Sequence, residues 1–331
     1  MLRGLLFGAS LIMALTACEQ DQQTPATVEQ EQPARKVPVP SFNQDSAYAY
    51  VAAQVAFGPR VPNSEAHRQC RDWLAAKLAS FGAKVTLQDF TATAYTGQQL
   101  QCTNIIGSFN PEAQKRIVLA AHWDSRFVSD QERDLEKQKL PVPGADDGAS
   151  GVGVLLELAR LLHEHPIDMG VDIIFFDAED QGEDGGTSAE SWCLGAQYWA
   201  RNPHVSGYRA RYGILLDMVG AKGARFAKEG ASMSFAPQLV NKIWKLARQM
   251  GYGQYFVDAT TGGVTDDHFF VSTIARIPMI DIINKPAETD TGFGPHWHTQ
   301  ADDMDVISKR TLKAVGQVVT AVVYRENNGT F

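Results

Sequence analysis

The sequence predicts an α/β fold: a single domain with a central mixed, mostly parallel sheet flanked by helices on both faces. Three features predict it. Short apolar runs, such as residues 171–176 with only Asp172 polar, lack the alternation of a half-wetted strand and suit strands buried on both faces. Stretches with apolar residues at helical spacing separate these runs, as parallel connections require. Several of the buried runs deliver carboxylates or histidine at their carboxyl ends, where open α/β sheets bind ligands. The 331 residues, 44% of them hydrophobic, are enough for one large packed domain. A net charge of −8 offers no basic footprint, so nucleic acid is not an expected partner.

The first 18 residues read as an export signal. Arg3 gives a positive start, and residues 5–15 form an apolar run too short to span a bilayer. Leu15, Thr16, Ala17 and Cys18 then resemble the cleavage site of a bacterial lipoprotein. Cys18 is expected to carry a lipid that anchors an exported protein to a bacterial membrane, facing the periplasm. Residues 19–40, rich in Gln, Glu, Pro and Thr, are expected to be a disordered tether, with the folded domain running over 41–331. Cys70, Cys102 and Cys193 remain in the folded part. An oxidising compartment permits one disulfide among them and leaves a thiol free. Their spacing fits no zinc motif and no nucleophile pattern, so they are read as structural.

Within the domain, helices are expected at 45–57, broken by Gly58 and Pro59, and at 65–81, closed by Gly82. Strands follow at 84–90 and 101–107. The strand 116–121 delivers His122 and Asp124, and a polar loop covers 127–143. A glycine-rich stretch carrying Asp146 and Asp147 opens a helix that runs to about 164. The central strand 171–176 runs into Glu179 and Asp180, and the loop 182–194 carries Trp192. A short helix at 197–201 precedes a strand at 212–216 ending in Asp217. A helix at 237–250, a short helix led by Asp266 and Asp267, and a strand at 277–283 come next. Pro278 near the start of that strand suits a first or edge position. A Gly/Pro-rich loop then reaches His296, Trp297 and His298, and the last helix is expected at 306–324.

Glu179 and Asp180 are adjacent carboxylates in a confined place, and they repel unless something positive holds one of them. The natural division is that one binds a metal and the other moves protons. His122, Asp124, Asp147, Asp217, Asp266, Asp267 and His298 join them from separate strand and loop ends. Oxygen and nitrogen ligands without thiolate suit a catalytic zinc ion.

Six stretches carry a resemblance in order along the chain: Ala120-Ala121-His122-Trp123-Asp124-Ser125, Gly144-Ala145-Asp146-Asp147-Gly148-Ala149, Phe175-Phe176-Asp177-Ala178-Glu179-Asp180, Leu215-Leu216-Asp217-Met218-Val219-Gly220, Thr265-Asp266-Asp267-His268 and Trp297-His298-Thr299. Over about 41–324 the chain resembles the type II glutaminyl-peptide cyclotransferases, whose fold is that of the di-zinc aminopeptidases. The resemblance implies conversion of N-terminal glutamine in peptides and proteins to pyroglutamate, with release of ammonia. It implies one Zn2+ per chain held by Asp147, Asp180 and His298. Glu179 takes the general acid/base position, with Asp217 and Asp266 as supporting carboxylates. Trp297 walls the pocket, and Trp192 and Phe293 fall near its entrance. Two positions depart from the animal cyclases. Asp180 replaces a glutamate, which draws the ion closer, and Asp281 replaces a histidine, which adds negative charge.

A di-zinc aminopeptidase would need His122, Asp217, a bridging Asp147, Asp180 and His298, and all are present. The ligand set alone therefore settles neither the activity nor the number of ions. Cyclisation must exclude water, because the attacking group is the substrate's own α-amine, and a large indole at Trp297 favours such a pocket. A peptide-binding lipoprotein without catalysis is a third reading, against which the intact Glu179 weighs.

Overall fold

The structure is a computed structural model that describes Met1, Leu2, Gly4 and residues 36–286 and 288–331. Cys18 and residues 19–35 of the expected signal and tether lie outside the described residues. Residues 37–40, expected in the tether, instead rest on the folded body. Val37 is buried, and Asn328 both accepts from its N–H and donates to its carbonyl, each at 2.9 Å. Gln317 donates to the carbonyl of Pro40 at 3.0 Å. The polar composition of the stretch masks one apolar side chain that the last helix can cover.

Strands β1 (Lys84–Thr93), β2 (Gln99–Phe109), β3 (Arg116–His122), β4 (Gly170–Phe176), β5 (Gly213–Asp217), β6 (Phe226–Lys228), β7 (Phe256–Thr260) and β8 (Met279–Ile283) form two sheets. The main sheet has six strands in the order β1-β2-β4-β3-β5-β8. Its β4, β3, β5 and β8 are parallel, whereas β1 and β2 form an antiparallel hairpin added beside β4. The expected mixed, mostly parallel sheet is therefore present. The parallel pair β6–β7 stands apart. This pair was not expected from the sequence, because its strands are too short for a period to show.

Helices α1 (Gln44–Val55), α2 (Glu65–Ser80), α3 (Ala149–Glu164), α4 (Leu194–Arg201), α5 (Gly230–Phe235), α6 (Pro237–Gln249), α7 (Asp267–Phe270) and α8 (Lys309–Asn327) cover both faces. Alternate residues of β3 show why. Ile117, Leu119 and Ala121 enter a core shared with α1, α3 and α8, while Val118 and Ala120 enter another with Trp199 of α4 and Phe270 of α7. The expected strand at 277–283 begins later, at Met279. Pro278 has no N–H for the ladder, though its carbonyl accepts from Gly213. The expected start of the last helix at 306 also moves, to Lys309, because the Ser308 side chain caps the N–H of Thr311. Cys70, Cys102 and Cys193 are all free and buried, so the disulfide permitted by the compartment is not formed among them.

Candidate active site and metal centre

The carboxyl ends of the parallel strands build the site. β3 ends at His122, β5 ends at Asp217, and β4 runs through Asp177 and Ala178 into Glu179 and Asp180. The chain turns sharply after β4, after β5 and at His298. Ala178, Met218 and His298 all hold left-handed backbone, with φ of 50°, 47° and 54°. Such conformations cost non-glycine residues of order 1 kcal/mol or more and collect at functional sites. Gly148 follows Asp147 at φ 99°, where a Cβ would stand 2.3 Å from the carbonyl oxygen of Asp124, so only glycine lets that turn close.

Two donor groups share Asp147. Nε2 of His122 is 3.0 Å from Asp147 Oδ1 and 3.2 Å from Asp217 Oδ1. Nε2 of His298 is 3.7 Å from Asp147 Oδ2 and 3.1 Å from Asp180 Oδ1. Within each group, candidate ligand atoms lie within 4.8 Å of one another. The group of Asp147, Asp180 and His298 offers two carboxylates and an imidazole without thiolate, a donor set suited to catalytic zinc. Asp180 Oδ2 is buried without a hydrogen-bond partner among the described residues, which leaves a donor atom for an ion. The residues present therefore fit the metal.

A frame the sequence reading did not assign holds these ligands. Asp124 accepts from the N–H groups of Glu179 (3.1 Å) and Asp180 (3.2 Å) and from Gln181 Nε2 (3.0 Å), and it lies 3.4 Å from His122 Nδ1. Asp302 accepts from the N–H groups of Asp146 (2.8 Å) and Asp147 (3.1 Å). Arg126 donates to the Asp180 carbonyl at 3.2 Å and pairs with Asp130, which stands 3.2 Å from His298 Nδ1. Burial alone would lower the His298 imidazole, but Asp180 and Asp130 hold it up at about 9 in the metal-free protein.

Glu179 faces different neighbours. The thiol of Cys193 donates to its Oε1 at 3.1 Å, and Asp266 joins the same cluster. Burial pushes Glu179 well above the ordinary carboxylate range; His122 opposes this, while Asp266, Asp180 and Asp267 add to it. Asp217, expected with Asp266 as a carboxylate supporting Glu179, lines the same cavity as both and also lies 3.2 Å from His122 Nε2. Burial, opposed by His122, leaves its carboxyl up at about 8.

These groups line a cavity of about 420 Å³ whose aromatic walls include Trp192, Phe293 and Trp297, the three residues expected there. Trp297 stacks on His298 with ring centroids 3.6 Å apart, and Phe293 lies 4.5 Å from Trp297. Trp192 lies against Gly182, where a Cβ would come within 2.1 Å of the indole.

With this geometry established, comparison with known proteins places the chain. The family model for peptidase family M28 matches residues 104–323. The chain belongs to peptidase family M28. Among solved structures it is similar to a Zn-dependent exopeptidase from Parabacteroides distasonis, at 56% identity and a TM-score of 0.85 over 87% of this chain and 99% of that one. It is also similar to the glutaminyl cyclase of Bacteroides thetaiotaomicron bound to N-acetylhistamine, at 54% identity and a TM-score of 0.84 over 87% and 99%. Among curated proteins it is 31% identical to the aminopeptidase YwaD of Bacillus subtilis over 244 residues, 70% of this chain but only 46% of that relative's length. The M28 membership and the donor set both support zinc.

Proposed function

We propose that this protein is a zinc-dependent glutaminyl cyclase that converts N-terminal glutamine of peptides and proteins to pyroglutamate and ammonia. The observation that carries the reading is the aromatic wall over the metal ligands: Trp297 stacked on His298, with Phe293 against Trp297. Such a wall suits a small, dry pocket for a folded glutamine side chain, not an open groove for hydrolysis. The similar cyclase from Bacteroides thetaiotaomicron supports the same activity.

In this reading Asp147, Asp180 and His298 hold zinc, one ion per chain. When bound, zinc supplies Lewis-acid polarisation of the substrate's γ-carboxamide carbonyl. The aromatic walls hold the glutamine chain bent, so that its α-amine lies against the carboxamide carbon. Proximity of this kind can lower a barrier by about 7 kcal/mol in good cases. Glu179 Oε2, the oxygen not taken by the Cys193 thiol, accepts a proton from the α-amine as the new C–N bond forms. It returns that proton to the carboxamide nitrogen as the old C–N bond breaks and ammonia leaves. Burial and the neighbouring Asp266 carboxyl both favour the proton-holding form of Glu179.

One observation favours a second reading, a two-zinc aminopeptidase: His122, Asp147 and Asp217 form a further donor group that shares Asp147. Offering the zinc-loaded protein glutamine-initiated and leucine-initiated peptides tests the choice. Ammonia from the first is expected, and free leucine from the second would support the peptidase.

We also propose that the chain is exported and held at a bacterial membrane, periplasm-facing, by a lipid on Cys18. Mass spectrometry of the mature N-terminus should find lipidated Cys18, and an unmodified peptide spanning residues 17 and 18 would contradict it.

A further inference from the structure

Two neighbouring helices carry a cationic face on a chain whose net charge is −8. α6 has no acidic residue, and its exposed side chains include Lys242, Lys245 and Arg248. α8 has a single acidic residue, Glu326, which is buried and paired with Arg211 and Lys115. Lys309 and Arg310 of α8 are exposed, and Lys313 and Arg325 are half-buried. The two helices lie side by side and antiparallel. Near the start of α6, Lys242 Nζ stands 4.4 Å from the ring centroid of Phe331, just past α8. Past the end of α6, Gly251, Tyr252 and Tyr255 line one groove with Arg310 and Lys313 from the start of α8. The exposed faces of α6 and α8 therefore adjoin along their length.

Part of this charge is neutralised within the protein. Lys309 pairs with Asp45, and Arg248 shares Asp258 with Lys228. Lys242, Lys245, Arg310, Lys313 and Arg325 have no ion pair among the described residues. Arg310 and Lys313 also stand at the start of α8, where positive charge opposes the helix dipole. Local structure gives no reason for a cluster of this sign.

The path of the chain places the face. Lys36 is exposed and precedes Val37, whose backbone is held by Asn328 past the end of α8. The chain thus joins the body close to Arg325. The adjacent Asn327 accepts from the N–H groups of Asp168 and Met169, just before β4. The point of entry is therefore at the amino ends of the parallel strands, away from the carboxyl ends that build the site.

We propose that the exposed face of α6 and α8 docks on an anionic phospholipid surface. Phosphate headgroups supply the counter-charge that the face lacks, and their attraction adds up over the Lys and Arg residues within a Debye length. Tyr252 and Tyr255, each partly exposed, suit the water–lipid boundary at the end of the same face. The choice of a membrane over another polyanion rests on the reading of Cys18 as the lipid-bearing residue, since an anchor there delivers Lys36 to the bilayer. Docking by this face leaves the cavity, at the opposite strand ends, open to peptides in solution.

The test mixes the full chain, carrying Cys18→Ser to remove the lipid, with vesicles of phosphatidylglycerol and phosphatidylcholine and with vesicles of phosphatidylcholine alone. More protein should sediment with the anionic vesicles, and the excess should fall as salt rises. Lys242→Gln, Lys245→Gln and Lys313→Gln together should weaken partitioning to anionic vesicles by about 10²-fold, at about fivefold for each cation. Lys242→Arg, Lys245→Arg and Lys313→Arg together should bind like the parent. Residues 1–17 are the same in every protein compared, so their own affinity for lipid cancels. Equal binding of the parent to both kinds of vesicle would overturn the proposal. Equal binding of the parent and the glutamine variant to anionic vesicles would also overturn it. Retention on soluble polyglutamate without binding to vesicles would overturn it in favour of an acidic protein partner. The protein tested carries no lipid, so failure here leaves the anchor on Cys18 standing, and an unmodified Cys18 leaves vesicle binding standing.

Discussion

Asp180 and Glu179 are neighbours at the end of the same strand, yet their surroundings are opposite. Asp180 faces cationic or potentially cationic groups, with His298 at 3.1 Å and Arg126 at 3.5 Å. Glu179 faces a neutral thiol and a further carboxylate, Cys193 and Asp266. The left-handed turn at Ala178 sends the two side chains into these different environments. Chemically related groups, adjacent in the chain, can therefore carry a metal and a proton respectively because of what stands across from each. The difference lies in the partners and not in the pair.

The largest effect should come from emptying the Asp180 side. His298→Ala removes the imidazole of the zinc group, and metal analysis should show loss of zinc together with loss of cyclisation. A variant that keeps both would remove His298 from the ligand set. Next comes the other neighbour. Glu179→Gln keeps the shape but carries no mobile proton, so zinc content should stay normal while kcat falls by about 10²- to 10⁴-fold. Since Glu179 is held above the ordinary carboxylate range and works deprotonated, kcat/KM of the parent should rise with pH through that elevated value. The variant should lack this acid limb; an unchanged limb would assign it to another group.

Smaller effects probe the frames. Asp302→Ala leaves two buried N–H groups beside Asp147 without an acceptor, for a loss of about 2–4 kcal/mol of stability and several degrees in Tm. An unchanged Tm would make Asp302 dispensable to the metal side. Trp297→Ala opens the wall on His298 without touching either carboxylate, and KM should rise by about tenfold, as loss of an aromatic wall contact of roughly 1.4 kcal/mol implies. Unchanged kinetics would reduce Trp297 to packing.

The candidate ligands stand out in the sequence because each sits where a recognisable strand ends or beside a distinctive neighbour. His122, Asp180 and Asp217 follow apolar runs, and His298 follows Trp297. Their supports were not legible. Asp302 meets Asp147 across 155 residues, and Arg126 meets Asp180 across 54, contacts that no local period or spacing encodes. Asp217 was legible in its place at the end of β5, where it lines the same cavity as Glu179 and Asp266, but its contact with His122 across 95 residues was not. Pairing β1 with β2 in a hairpin explains another shortfall. Both strands pair past their expected ends, β1 to Thr93 and β2 from Gln99 to Phe109, because each edge of the hairpin ladder continues as long as its partner does.

The sharpest trial of the division between Asp180 and Glu179 is the product released from a glutamine-initiated peptide by the zinc-loaded protein. Ammonia and a pyroglutamyl peptide, with no free amino acid from a leucine-initiated peptide, are the predicted result. Free glutamine or leucine without ammonia would contradict it and make the site a hydrolase.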